Sequence, residues 1–136
     1  MKNPGLRESI YNLTREIMEV NNIRITCALT GFIESSANEK FKLNIFRIVQ
    51  EGLNNILKHA HATEVIIRLS QNKKFLTLTI SDNGVGFDTQ KKQSGIGIDN
   101  IKSRAASYNG VADFVSQPGK GCVLNVRFPL RPRTFE

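Results

Sequence analysis

Leu76-Thr77-Leu78-Thr79-Ile80-Ser81-Asp82-Asn83-Gly84-Val85-Gly86-Phe87 decides how the rest of the chain is read. Leu76, Leu78 and Ile80 alternate with Thr77, Thr79 and Ser81, the period-two pattern of a strand that buries one face. The strand ends on a carboxylate, and two glycines follow at once. Glycine lets backbone approach a ligand closely or take positive φ, so an acid at this mouth points to a binding loop. The spacing is wrong for a calcium loop.

Working outward, Val65, Ile67 and Leu69 alternate with Glu64, Arg68 and Ser70, and Gln71 to Lys74 supplies a hairpin turn between the two strands. Upstream, Ser36 and Glu39 have the spacing of a capping box, and a helical pattern runs from about Ala37 to His59. Asn3-Pro4 predicts another helix start; Leu6, Ile10, Leu13, Ile17 and Val20 carry that helix to Asn21-Asn22, and a strand follows from Ile23 to Leu29. Downstream, a polar stretch reaches Ser94. A third helix is expected from near Gly97 to Tyr108, stopped by Asn109-Gly110. Val111 to Ser116 and Cys122 to Phe128 form the last two strands. The order α-β-α-β-β-α-β-β contains no repeated βαβ unit. It predicts an α/β (α+β) two-layer sandwich: a mixed sheet with helices packed on one face.

A chain of 136 residues suits one domain, and its 40% apolar content supports a real core. The net charge of +7 fits a nucleic acid, an acidic partner or a polyanionic nucleotide. The basic residues are dispersed and the aromatics are mostly Phe at apolar positions, which disfavours nucleic-acid binding. Cys27 and Cys122 make neither a disulfide framework nor a zinc site. No apolar run spans a bilayer and no secretion signal opens the chain, so a cytoplasmic setting is expected.

The long helix carries a polar stripe. With Glu51 at zero and about 100° per residue, Asn55 falls at about 40°, Lys58 at about −20°, His59 near 80° and Arg47 near −40°. Phe46, Val49, Leu53, Ile56 and Leu57 take the opposite side. Taken alone, such a stripe reads as a solvated face. Asn54-Asn55 at mid-helix argues for a site instead, because Asn is a poor helix former. An amide carbonyl with a carboxylate suits Mg²⁺, which takes its remaining ligands from water and phosphate. Gly95 and Gly97 precede a helix whose free N–H groups suit an anion, and Gly119 and Gly121 flank Lys120 in what reads as a hairpin turn. No P-loop and no dinucleotide fingerprint is present.

This ordered set resembles the nucleotide-binding fold shared by gyrase, Hsp90, histidine kinases and MutL, the GHKL superfamily. The segment Phe46 to Ala60 looks like its N box, closest to sensor kinases of the nitrate-sensor type. Asp82 to Phe87 looks like the first glycine box, Ser94 to Ile98 the second, and Pro118 to Cys122 the final glycine motif. The match covers roughly residues 36–130. The resemblance implies the Bergerat fold, a mostly antiparallel sheet covered on one face by about three helices. It implies an ATP-binding core over 36–130, with 1–35 as an N-terminal helix and first strand that include the end of a linker, and 131–136 as a tail.

The resemblance also implies site roles. Asn55 binds Mg²⁺, Glu51 serves as acid/base or orients water, and Lys58 and His59 lie near the phosphates. Asp82 accepts from the adenine amino group beside Gly84, Gly86 and Phe87. Residues 87–95 form a lid, and Gly95, Ile96, Gly97 and Ile98 approach the phosphates. Gly121 and Cys122 border the base, where the family often places Thr in the position of Cys122. The implied function is a histidine kinase catalytic domain that takes ATP and Mg²⁺. It passes the γ-phosphoryl group to a histidine on a separate dimerisation domain of the same full-length protein, and so serves a response regulator indirectly. Neither His59 nor His61 sits in an acceptor-like helix, so the chain reads as a fragment that lacks the acceptor. Contact with nucleic acid or membrane by this part is not expected, although the full-length protein is compatible with an inner-membrane anchor. An anti-sigma-type serine kinase and a non-catalytic ATP-binding or interaction module are the alternatives.

Overall fold

A computed structural model describes residues 5–86 and 96–130. Helix α1 (Leu6–Val20) leads to β1 (Arg24–Gly31), a 3₁₀ turn (Glu34–Ser36) and α2 (Glu39–Asn55), which widens into a π turn (Ile56–Ala60). The hairpin β2 (Glu64–Gln71) and β3 (Phe75–Asp82) follows, then α3 (Ile96–Ala106), β4 (Val111–Ser116) and β5 (Cys122–Pro129). The five strands lie in the order β1-β2-β3-β5-β4. Only β1 and β2 are parallel; the other neighbours are antiparallel. This is the expected mixed sandwich, with three helices among the described residues.

The alternation read from sequence is the burial pattern observed. Val65, Ile67 and Leu69 of β2 and Leu76, Leu78 and Ile80 of β3 are buried, and they pack with Leu124, Val126 and Phe128 of β5. Ile45, Ile48, Val49 and Leu53 of α2 close the core from above, with Leu6 and Ile10 of α1 and Ile101 and Ala105 of α3 beside them. Full burial of each such side chain stabilises the fold by about 1.5–3 kcal/mol. Gly52 lets α2 settle close to β3, since a Cβ there would stand 3.0 Å from Ile80 Cδ1. The helix that carries Glu51 and Asn55 is thereby pressed against the strand that ends at Asp82.

Four local expectations need correction. The cap of α1 is Gly5, not Asn3, whose own placement lies outside the described residues. Gly5 offers no side-chain acceptor, and the Glu34 carboxylate takes the Leu6 and Arg7 N–H groups instead, at 3.0 and 2.9 Å. The cap of α2 is Asn38, whose Oδ1 accepts from Phe41 N at 2.8 Å. Ser36 is consumed by the 3₁₀ turn, where its hydroxyl donates to the Ile33 carbonyl at 2.6 Å. α3 starts one residue early, at Ile96, and ends at Ala106; Asn109 then takes φ 62° and the Gly110 N–H returns to the Ala105 carbonyl at 2.8 Å. Finally, Leu57 is 37% exposed rather than on the apolar face. It falls in the π turn, where each residue advances less than 100° and the helical wheel no longer applies.

Candidate functional site

The C-terminal end of β3 and the start of β5 form one wall. Asp82 stands opposite Cys122 on β5 and opposite Val65 on β2. Its Oδ1 accepts the Gly84 N–H at 2.8 Å, which folds the chain back as it leaves the strand. Burial pushes the Asp82 carboxyl above the ordinary aspartate range, against the hydrogen bonds from the Gly84 and Cys122 backbone that favour the anion. The Cys122 thiol is pushed up to about 11, first by burial and then by the charge of Asp82, with the Ser116 hydrogen bond acting the other way. At neutral pH it is a protonated thiol beside a carboxylate.

The loop after Asp82 is fixed from two sides. Val85 N donates to the Ala60 carbonyl at 2.8 Å. That carbonyl ends the π turn, where the helix leaves its last acceptors unpaired. On the other side, Gly119 N donates to the Val85 carbonyl, and Gly86 (φ 67°) lies against the Gln117 and Gly121 carbonyls. Gly121 has φ 74°, and a Cβ there would stand 2.2 Å from the Asp82 carbonyl oxygen. A side chain at this point would displace Asp82 itself. The β4–β5 turn is therefore a hairpin turn, as its sequence suggests, and also the outer support of the acid loop.

Asn83 was legible only as a member of the motif, yet it holds the loop. Its Oδ1 accepts from Thr63 N and Glu64 N at 2.9 and 3.0 Å, and its Nδ2 donates to Thr63 Oγ1 at 2.9 Å. The signal available was Asn directly after a strand-ending Asp, a common loop-fixing arrangement.

The second half of the candidate site lies between α2 and α3. Glu51 and Asn55 are half-buried because their row faces α3. Gly97 is buried under the Asn55 amide; a Cβ on it would meet Asn55 Oδ1 at 2.3 Å and Nδ2 at 2.6 Å. Asn100 Nδ2 donates to Glu51 Oε1 at 3.4 Å. Further along, Asn44 Nδ2 donates to the Arg104 carbonyl at 2.9 Å. The structure thus brings Glu51, Asn55 and Gly97 together, and separately gathers Asp82, Gly84, Gly86, Gly121 and Cys122. The contact of Val85 with Ala60 ties the two groups. Lys58 and His59 are exposed on the π turn. Ile98 is half-buried on α3. Phe87, Gly95 and the lid 87–95 lie outside the described residues, as does the side chain of Ile96.

Chemically, the wall offers a half-buried carboxylate acceptor among tightly packed backbone, suited to a ligand that presents an N–H donor. The helix pair offers a carboxylate and an amide carbonyl, a hard-oxygen set suited to Mg²⁺ in company with phosphate oxygens. The Asn55 amide has no hydrogen-bond partner among the described residues; it packs against Gly97.

Known proteins resemble this chain in sequence and in fold. A family model described as histidine kinase-, DNA gyrase B- and HSP90-like ATPase matches residues 42–132. The sensor histidine kinase LiaS of Bacillus subtilis is 34% identical over 133 residues, 97% of this chain and 36% of that protein. The sensor protein VraS of Staphylococcus aureus is 29% identical over 131 residues, 96% of this chain and 37% of that protein. The chain therefore spans little more than a third of these relatives. Among solved structures, the ATP binding domain of PrrB from Mycobacterium tuberculosis superposes with a TM-score of 0.72 at 16% identity, covering 95% of this chain and 96% of that one. A blue-light activated histidine kinase of Erythrobacter litoralis gives 0.78 at 18% identity, covering 93% and 42%. At such identities these two likenesses concern the fold.

Proposed function

We propose, since this chain belongs to the histidine kinase-, DNA gyrase B- and HSP90-like ATPase family, that it is the ATP-binding catalytic unit of a sensor histidine kinase. The observation that carries the reading is the junction of Asp82, the glycine-supported loop and the Glu51/Asn55 helix face through one hydrogen bond, Val85 N to Ala60 O. Leu6 and Ile10 share the core of the sandwich, which supports treating 1–35 as part of the same unit as the ATP-binding core 36–130, with 131–136 as a tail.

In this reading Asp82 accepts the adenine amino group, with Gly84, Gly86, Phe87, Gly121 and Cys122 around the base. Ile96, Gly97 and Ile98, at the start of α3, and Gly95 before them in sequence, serve the phosphates, where free N–H groups and the helix dipole favour anions. Asn55 holds Mg²⁺, which supplies charge neutralisation on the phosphates. Glu51 takes or orients the proton at the acceptor. Lys58 and His59 sit at the exposed rim and contribute through charge. Catalysis here is positioning and electrostatics, as for phosphoryl transfer generally. The acceptor histidine lies on a separate phosphoacceptor domain of the full-length protein, from which a response regulator takes the phosphoryl group. The chain works on the cytoplasmic side; none of the helices among the described residues is long and apolar enough to cross a membrane.

The test is phosphoryl transfer from radiolabelled ATP to a separately supplied helical phosphoacceptor domain. Label on its histidine, lost with Asn55→Ala, is the expected result. Tight ATP binding without transfer to any supplied acceptor would favour a non-catalytic nucleotide-binding module.

A further inference from the structure

We infer that Asn100 is a positioning residue for Glu51, holding its carboxylate through the side-chain amide so that α3 sets the orientation of the proposed base. This rests on the kinase reading above and adds a residue to it. α2 and α3 pack antiparallel along a polar seam with three rungs. Asn44 Nδ2 meets the Arg104 carbonyl at one end, the Asn55 amide lies over Gly97 at the other, and Asn100 Nδ2 meets Glu51 Oε1 between them. Ile48 of α2 and Ile101 of α3 are both buried in the shared core. The outer two rungs fix the register of the helices, so the middle contact follows from the packing. At 3.4 Å it is long for a hydrogen bond. Such contacts are commonly loose without substrate and tighten in the complex.

The physical logic is specific to an amide. A carboxylate on a half-exposed helix face samples several rotamers. An N–H donor on a neighbouring helix selects one of them without removing the charge, which a Lys or Arg partner would pin more firmly. α3 begins at the segment proposed to face the phosphates. Seating of nucleotide at its N-terminus would therefore draw Asn100 against Glu51, so that the base is oriented when the site is filled.

The experiment is single-turnover phosphoryl transfer to a supplied phosphoacceptor domain, together with ¹⁵N spectra of the Asn side-chain amides. Asn100→Ala is expected to slow transfer about tenfold, the scale of losing an orienting partner, with ATP Kd unchanged. Asn100→Gln, which keeps a donating amide, restores part of the rate. Asn100→Ala adds nothing in a Glu51→Ala background, because the residue acts through Glu51. The Asn100 amide resonance of the wild-type chain shifts on Glu51→Ala. A wild-type rate for Asn100→Ala, a further loss in the Glu51→Ala background, or an unmoved amide resonance would overturn the assignment. Failure of the wild-type chain to transfer at all would overturn the kinase reading itself, and Asn100 with it.

Discussion

Gly119 and Gly121 share one turn and nearly one conformation, with φ 79° and 74°, but they differ in what surrounds them. Nothing lies within 4 Å of a Cβ built on Gly119. A Cβ on Gly121 would meet the Asp82 carbonyl oxygen at 2.2 Å, the Asp82 carbonyl carbon at 3.2 Å and Asn83 Cα at 3.3 Å. All three are backbone atoms, so no rotamer change relieves them. Gly119→Ala carries only the left-handed penalty, about 1–2 kcal/mol. Gly121→Ala carries that and an overpacking cost of about 1–3 kcal/mol, so about 2–5 kcal/mol in total. For a chain of this size each kcal/mol lowers Tm by about 3–5 °C. Thermal unfolding of the two variants should therefore show a drop for Gly121→Ala about 1.5 to 4 times that for Gly119→Ala. Because the displaced group is the backbone of Asp82, Gly121→Ala should also weaken ATP binding about tenfold or more, the equivalent of about 1.4 kcal/mol. Gly119→Ala should leave ATP Kd within about twofold. Equal Tm losses, or unaltered ATP affinity in Gly121→Ala, would refute the claim that the β4–β5 turn supports the acid loop.

The remaining predictions concern caps and charges. Asn38→Ala should lower stability by about 1 kcal/mol and Ser36→Ala by clearly less, read from urea midpoints, since Asn38 is the cap of α2. Glu34→Ala should cost about 1–2 kcal/mol, because its carboxylate caps α1 and faces Arg7 and Lys42. Burial alone would raise the Glu34 carboxyl, but the Arg7 and Leu6 backbone donors and the two cations together lower it. Its contribution is thus present above the ordinary carboxylate value and is lost as pH falls through the depressed one, so the wild-type advantage over Glu34→Ala should vanish in acid unfolding curves. Asp82 has the opposite sign. Its carboxyl is raised, chiefly by burial, so it stabilises the fold most when protonated and progressively less as pH rises through its raised value. ATP affinity, which needs the anion, should rise over that same interval; calorimetric titrations across pH 4–7 that gave a flat ATP affinity would count against Asp82 as the adenine acceptor.

Much of the fold was legible because two periodicities carry it. Leu76, Leu78 and Ile80 could only be a half-buried strand, and the apolar stripe of Phe46, Val49, Leu53 and Ile56 could only be a helix lying on it. The caps were less legible. Ser36 with Glu39 has the right spacing for a capping box, but Asn38 sits closer to the helix with an equally good acceptor, and local competition of this kind is settled by backbone geometry. Glu34 capping α1 across 28 positions of sequence has no local signal at all. The π turn is the other element hidden from a wheel drawn at one constant angle. It leaves Leu57 37% exposed, where the wheel puts it on the apolar face. The acid loop was visible as Asp-x-Gly-x-Gly, whereas its braces, Asn83 to Thr63 and Val85 to Ala60, come from segments brought together only by folding.

The central claim is that Asp82 and its glycine-supported loop bind the adenine of ATP. Calorimetric titration of ATP with Mg²⁺ into the wild-type chain and into Asp82→Asn, with GTP as the control ligand, tests it most directly. Saturable ATP binding by wild type is expected, with little or no GTP binding and a loss of about 1.5–3 kcal/mol in Asp82→Asn, roughly ten- to 150-fold in Kd. The claim is contradicted if the wild-type chain binds no ATP, or if Asp82→Asn binds ATP as tightly as wild type while remaining folded.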